Sequence, residues 1–250
     1  MHLLSEIVSW LDSQFAEYRV EDYSNNGLQL EACRDVEKIA YAVDACQESI
    51  LGAAREGAQL LLVHHGLSWG NGFARIIGLD AQRIGLAFLS GISIYAMHLP
   101  LDAHRVLGNN AQLSQALGAA VLDAFADVHG LKIGMLCEWK GTVAQLAEKY
   151  RALTGVECKI HGDAEHKIGK LAIVSGGGDG ELAACSEAGA DVLLTGELKH
   201  AHAHEAEERG ITVLAGGHYA TETFGVRALA HAVAEKFACP IVEIPSDTGL

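Results

Sequence analysis

The sequence predicts an α/β fold made of two α/β repeats, each a mixed sheet with flanking helices. Three observations carry this. Short apolar runs alternate with amphipathic stretches at helical spacing. Glycine is frequent and proline rare, 28 against 3 in 250 residues, which suits tight strand-to-helix turns. The second half also repeats the first. Lys170-Leu171-Ala172-Ile173-Val174 matches Lys38-Ile39-Ala40-Tyr41-Ala42, and Glu187-Ala188-Gly189-Ala190-Asp191-Val192-Leu193-Leu194 matches Arg55-Glu56-Gly57-Ala58-Gln59-Leu60-Leu61-Leu62. Both pairs are 132 residues apart without a gap. Any two strand–helix–strand units look alike over short apolar runs, but a shared gapless offset favours duplication. The repeats are expected to divide at about residue 125, as 1–125 and 126–250.

In the first repeat, Leu3, Leu4, Ile7, Val8, Leu11 and Phe15 recur at helical spacing and predict a helix over 2–17. The polar turn Asp22-Tyr23-Ser24-Asn25-Asn26-Gly27 enters a short strand at Leu28-Gln29-Leu30. Residues 38–43 read as a strand and 47–56 as a helix closed by Gly57. A buried strand over 60–63 runs into His64-His65-Gly66. A helix over 77–89 and a strand over 92–96 follow, and that strand leads to His98-Leu99-Pro100-Leu101-Asp102, where Pro100 is expected to hold an extended turn.

The middle stretch, 120–165, lacks this rhythm; strands near 131–137 and 157–160 and a helix near 142–153 are expected. Beyond it come strands at 170–174, 192–194 and 212–215. A helix then runs to about Phe237, with Thr221 as its N-cap.

Composition narrows the function. Half of the residues are hydrophobic, enough for a sizeable core, and the formal net charge is −14. With no basic run, duplex nucleic acid is not an expected partner. No apolar stretch reaches the roughly 18 residues of a membrane span, and the N-terminus lacks the marks of a secretory leader. Six cysteines stand singly, with no Cys-x-x-Cys pair. These features predict a cytoplasmic protein.

The strand ends carry the chemistry, as they do for ligands in α/β sheets. Successive strand side chains face opposite ways. In the turn that ends this strand, His64 and His65 can splay towards one cavity, and they suit two ions better than one. Gly66 is read as leaving room for a ligand. Asp102 is the hard anionic ligand that a hydrolytic divalent site requires, and His98 orients a ligand or substrate. His218 and Glu222 flank a helix start from which both can reach the strand ends. A carboxylate such as Glu222 offers two oxygens, enough to bridge two cations. The ordinary alternatives are an exposed His pair and a first-turn Glu that complements the helix dipole. His200, His202 and His204 form a cluster on a predicted helix. Without a His-Glu-x-x-His order it reads as a polar face, with His200 reaching the site through Glu197.

Taken in order, Ser24-Asn25-Asn26-Gly27-Leu28-Gln29, His64-His65-Gly66, His98-Leu99-Pro100-Leu101-Asp102, Thr195-Gly196-Glu197 and Gly217-His218-Tyr219-Ala220-Thr221-Glu222 resemble the Nif-three-like family, whose members are GTP cyclohydrolase I type 2 homologs. The resemblance spans nearly the whole chain. It implies two intertwined α/β repeats, a toroidal homohexamer, and a dinuclear site held by His64, His65, Asp102, His218 and Glu222, with Glu222 bridging. The chain departs from the family pattern at Leu99 and Pro100, where polar residues usually stand.

The function these features predict is a dinuclear metal-dependent hydrolase with two divalent ions per chain, zinc, manganese or iron. The resemblance implies a small-molecule substrate, a nucleotide such as GTP whose imidazole ring is opened, and His98 and Glu197 are the candidates for the catalytic acid. Two rivals share the site: a phosphoesterase or amidase, and an oligomeric metal-binding regulatory or assembly protein with little catalysis.

Overall fold

A computed structural model describes residues 1–249. The elements run β1 (His2–Leu3), α1 (Leu4–Gln14), β2 (Gly27–Leu30), β3 (Asp35–Val36), β4 (Ile39–Asp44), α2 (Gln47–Arg55), β5 (Leu60–His65), α3 (Gly78–Leu89), β6 (Ser93–Ala96) and α4 (Leu99–Ala103). They continue with α5 (Asn109–Leu117), β7 (Ala120–Val128), β8 (Leu131–Glu138), α6 (Val143–Thr154), β9 (Lys159–His161), β10 (Leu171–Val174), α7 (Leu182–Glu187), β11 (Val192–Thr195), α8 (His200–Arg209), β12 (Thr212–Ala215), α9 (His218–Phe237) and β13 (Ile241–Glu243).

The chain forms two compact units, each discontinuous in sequence. The first comprises Met1–Leu101 with Gly225–Ser246, and the second Asp102–Phe224 with residues 247–249. Each unit therefore combines segments from separate parts of the chain. The reason is that β13 pairs in parallel with β4, Ile241 opposite Ile39, which gives the C-terminal segment to the first sheet.

In the first unit the sheet order is β13-β4-β5-β6-β2, parallel except for β2, which runs antiparallel to β6. Strands buried on both faces read as continuous apolar runs, as β4, β5 and β6 do. Ile50 and Ala53 from α2 and Ala87 from α3 pack with Leu61, Val63 and Ile94 in one core. Each fully buried Leu or Ile contributes about 1.5–3 kcal/mol. The N-terminal helix is shorter than its apolar spacing suggests, ending at Gln14 before a single 3-10 turn over Ala16–Tyr18.

In the second unit the order is β7-β8-β10-β11-β12-β9, with β10, β11 and β12 parallel and the others antiparallel. Leu113, Leu117, Met135, Leu146, Tyr150, Ile173, Leu194 and Leu214 form its core. The repeat is visible in the register. Ile39 faces Leu60 in the first sheet and Leu171 faces Val192 in the second, both members 132 residues further on. Strand β7 is not evident from the sequence. A register shift between Val121 and Asp123 breaks its alternation, and its first four residues are exposed.

Among the described residues no helix is long and apolar enough to cross a membrane. The six cysteines are free thiols.

Candidate metal centre

In the first unit the site residues stand where β5 and β6 end. His64 and His65 are the last two residues of β5 rather than part of a turn, yet their ring centroids lie only 4.7 Å apart at 47°. His64 is fully buried. Its Nδ1 lies 3.0 Å from the Met97 carbonyl, which can only accept, so Nδ1 carries the hydrogen. His65 Nδ1 lies 2.9 Å from Asp44 Oδ1, and His98 Nδ1 lies 2.8 Å from Asp22 Oδ1. In the neutral rings this arrangement makes Nε2 the lone-pair nitrogen of each imidazole, the tautomer a metal ligand needs. One nitrogen from each of His64, His65 and His98 lies within 4.8 Å of the other two. For Asp22, burial alone would raise the pKa, but the hydrogen bonds and charge of His98, with Asn26 and the Ser24 amide, hold it below the usual carboxylate range.

Gly66 does not leave room for a ligand. A Cβ there would run into the side-chain amide of Gln29, which already fills the space.

The second unit brings carboxylates and hydroxyls to the ends of β10, β11 and β12. Asp102 is buried, and its Oδ1 accepts from Asn109 Nδ2 at 2.9 Å and from Ser175 Oγ at 3.1 Å. Pro100 and Asp102 lie in the helix α4 rather than in an extended turn. Proline is tolerated in the first turn of a helix, where its missing N–H has no partner to lose.

Helix α9 starts at His218, so Thr221 is inside its first turn and is not the N-cap. Instead Thr221 Oγ1 accepts from the Gly176 amide at 2.9 Å. Residues 218 and 222 are one turn apart on this helix, and His218 Nε2 lies 3.2 Å from Glu222 Oε1. The other ring nitrogen, Nδ1, lies 3.3 Å from Glu197 Oε1. The Glu222 hydrogen bond and the two carboxylate charges outweigh burial and raise the His218 pKa to about 9.

The loop Ser175-Gly176 ties the acidic residues together. Ser175 touches Asp102, and Gly176 has a φ of +60°, which favours glycine. An added Cβ at Gly176 would run into Glu222 Oε1 and come within 3.1 Å of His218 Nε2. These imidazole and carboxylate groups are of the donor types that bind divalent metals.

Helix α8 carries His200, His202 and His204. His202 Nδ1 bonds the buried Asp179 at 2.8 Å, and the rings of His200 and His204 lie 6.1 Å apart. It is Lys199, not His200, that reaches Glu197, at 3.5 Å. Asp22, Asp44, Asn109 and Ser175, which hold the candidate ligands, do not stand out in the sequence. The readable signal is that Asp44 and Ser175 each close a buried apolar run, as the histidines do.

Fold and site define a mixed α/β protein with clustered His and carboxylate groups able to hold metal. Residues 2–248 match the model of the Duf34/NIF3 (NGG1p interacting factor 3) family, and the chain belongs to that family. A relative from Deinococcus radiodurans is 39% identical, over 98% of this chain and 94% of its own length, and one from Pyrococcus abyssi is 41% identical over 98% of each. Both are named "GTP cyclohydrolase 1 type 2 homolog". Among solved structures, ybgI, described as of unknown function, superposes with a TM-score of 0.91 at 30% identity, and a protein from Thermus thermophilus with 0.88 at 38%. Each of these two covers 100% of both chains.

Proposed function

We propose that this chain is a dinuclear metal-dependent hydrolase whose ligands are His64, His65, Asp102, His218 and Glu222, with Glu222 as the bridge. The observation that carries the reading is the tethering of His64, His65 and His98 through Nδ1, which leaves Nε2 as the lone-pair nitrogen in each neutral ring. Structural histidines have no need to share one tautomer. Two divalent ions bound there would supply Lewis acidity and lower the pKa of water.

The remaining work falls to side chains. Glu197 Oε1 lies against His218 Nδ1 and can hold the proton at that atom. His98, fixed by Asp22, presents Nε2 as a proton acceptor, or as a donor once protonated. For a purine nucleotide such as GTP, His98 Nε2 or Glu197 would protonate the ring nitrogen released when the imidazole opens. The names of the relatives support this substrate class.

We further propose that the protein acts in the cytoplasm as a homohexamer. Ile76, Ile77, Leu79, Phe88 and Leu89, exposed in and beside α3, support self-association.

The test is to incubate metal-loaded protein with GTP, other nucleotides, phosphoesters and amides. Ring opening of GTP supports the reading. Turnover of a phosphoester or amide alone would move the same site to a different reaction. Metal uptake with no turnover of any substrate would favour the rival, a metal-binding assembly protein.

A further inference from the structure

We propose that the segment Asp22–Gln29 is a positioning clamp that sets the imidazoles of His64, His65 and His98 relative to one another. The inference rests on the metal-centre reading above. Its strand, β2, is registered on β6, with Gly27 opposite Ala96 and Leu28 opposite Tyr95. From that edge the segment reaches the loop after His65 and the loop that carries His98.

One end holds His98. Asn26 Oδ1 accepts the His98 amide at 2.7 Å, and Asn26 Nδ2 donates to Asp22 Oδ2 at 2.8 Å. Asp22 takes His98 Nδ1 on one oxygen and the Leu99 amide, at 3.0 Å, on the other. Ring and backbone of His98 are therefore fixed from the same two side chains.

The other end holds the loop after His65. Gln29 Oε1 accepts the amides of Leu67 and Ser68 at 2.7 and 3.0 Å, and Nε2 donates to the Asn25 and Ser68 carbonyls at 2.7 and 3.2 Å. All four groups of one side-chain amide are used, as in a strand partner. The backbone adds Asn25 N to Ser68 O at 3.1 Å and Gly70 N to Tyr23 O at 2.6 Å. The ring centroid of Trp69, on the same loop, lies 5.2 Å from that of His98 and 5.9 Å from that of His65. Gly66 is the complement of the clamp, because a Cβ there would occupy the place of the Gln29 amide. Its φ lies outside the left-handed region, so the demand for glycine comes from Gln29 and not from the backbone.

The test compares wild type with Gln29→Ala, Asn26→Ala, Gly66→Ala and the double variant Gly66→Ala/Gln29→Ala. Cobalt(II) is titrated into apo protein, and affinity, the visible absorption of the bound ion and apo thermal stability are recorded. The clamp predicts roughly 10–100-fold weaker binding and an altered spectrum for each single variant, as for other groups that orient ligands. The apo midpoint should move by no more than about 4 °C, the shift of about 1 kcal/mol in a chain of this size. In the Gln29→Ala background the Gly66→Ala change should cost nothing further, because the new methyl occupies the vacated space. Native affinity and spectrum in Gln29→Ala and Asn26→Ala would overturn the clamp, as would additive losses in the double variant. If wild type takes up no cobalt, the metal reading fails. The clamp is then read from the imidazole resonances of apo protein, and unmoved His64, His65 and His98 signals in these variants would overturn it.

Discussion

In the first unit β5 ends in His64-His65 and the chain beyond β6 supplies His98; in the second, β11 ends before Gly196-Glu197 and the chain beyond β12 supplies His218 and Glu222. The core strands keep the same register in both units. The polar ends differ: the first unit offers imidazoles, the second carboxylates together with His218. The supports differ to match. Imidazoles need an acceptor on Nδ1, and they find Met97, Asp44 and Asp22. Asp102 needs donors, and it finds Asn109 and Ser175. Each unit thus holds its own polar groups by supports of the matching kind.

The largest effects should come from the second unit. If Glu222 bridges as proposed, Glu222→Gln takes a shared anion from two cations, and both ions should weaken together. Asp102→Asn should weaken mainly one. Each loss should be at least the roughly 10–100-fold that orienting partners cost. Calorimetric titration of apo protein separates the cases. A Glu222→Gln protein that keeps one tight ion, beside an Asp102→Asn protein that loses both, would reverse the assignment of the bridge.

A smaller effect is expected from the supports of the first unit. Asp44→Ala leaves His65 without its Nδ1 acceptor and should weaken binding roughly 10–100-fold. Asp44→Asn, which retains an acceptor oxygen, should recover most of it. Equal binding in all three proteins would remove the tautomer argument for His65.

His218 gives rise to a pH effect. Its pKa in the folded protein is raised to about 9 from 6.5 by Glu222 and Glu197. The sign follows from proton linkage. The contribution of this contact to apo stability is complete below pH 6.5 and is lost as the pH rises through about 9. A metal must displace that proton, so binding at pH 7 should release one proton from His218. Titrations in buffers of different ionisation enthalpy measure the release, and it should fall by about one proton in His218→Ala.

The smallest effect belongs to α8. His200→Ala, His202→Ala and His204→Ala should leave metal content nearly unchanged, because their contacts are with one another and with Asp179 and Glu207. Loss of an ion in any of them, measured by elemental analysis, would move the ligand set.

Much of this is legible in the sequence, for physical reasons. The parallel strands β4, β5, β6, β10, β11 and β12 are buried on both faces and so read as short apolar runs. Their common offset exposes the repeat. The histidines are visible because a polar group directly after such a run has few structural uses. Their supports are not, because tertiary pairing is invisible to local spacing: Asp44 lies 21 residues from His65, and Asp22 lies 76 from His98. Pro100 misleads because proline signals both extended turns and first helical turns. Gly66 misleads because the group that fills its missing Cβ, Gln29, comes from another strand.

Elemental analysis of apo protein reconstituted with zinc, manganese or iron and freed of unbound metal tests the central claim most directly. The account predicts close to two divalent ions per chain. A stoichiometry that never exceeds one would contradict it.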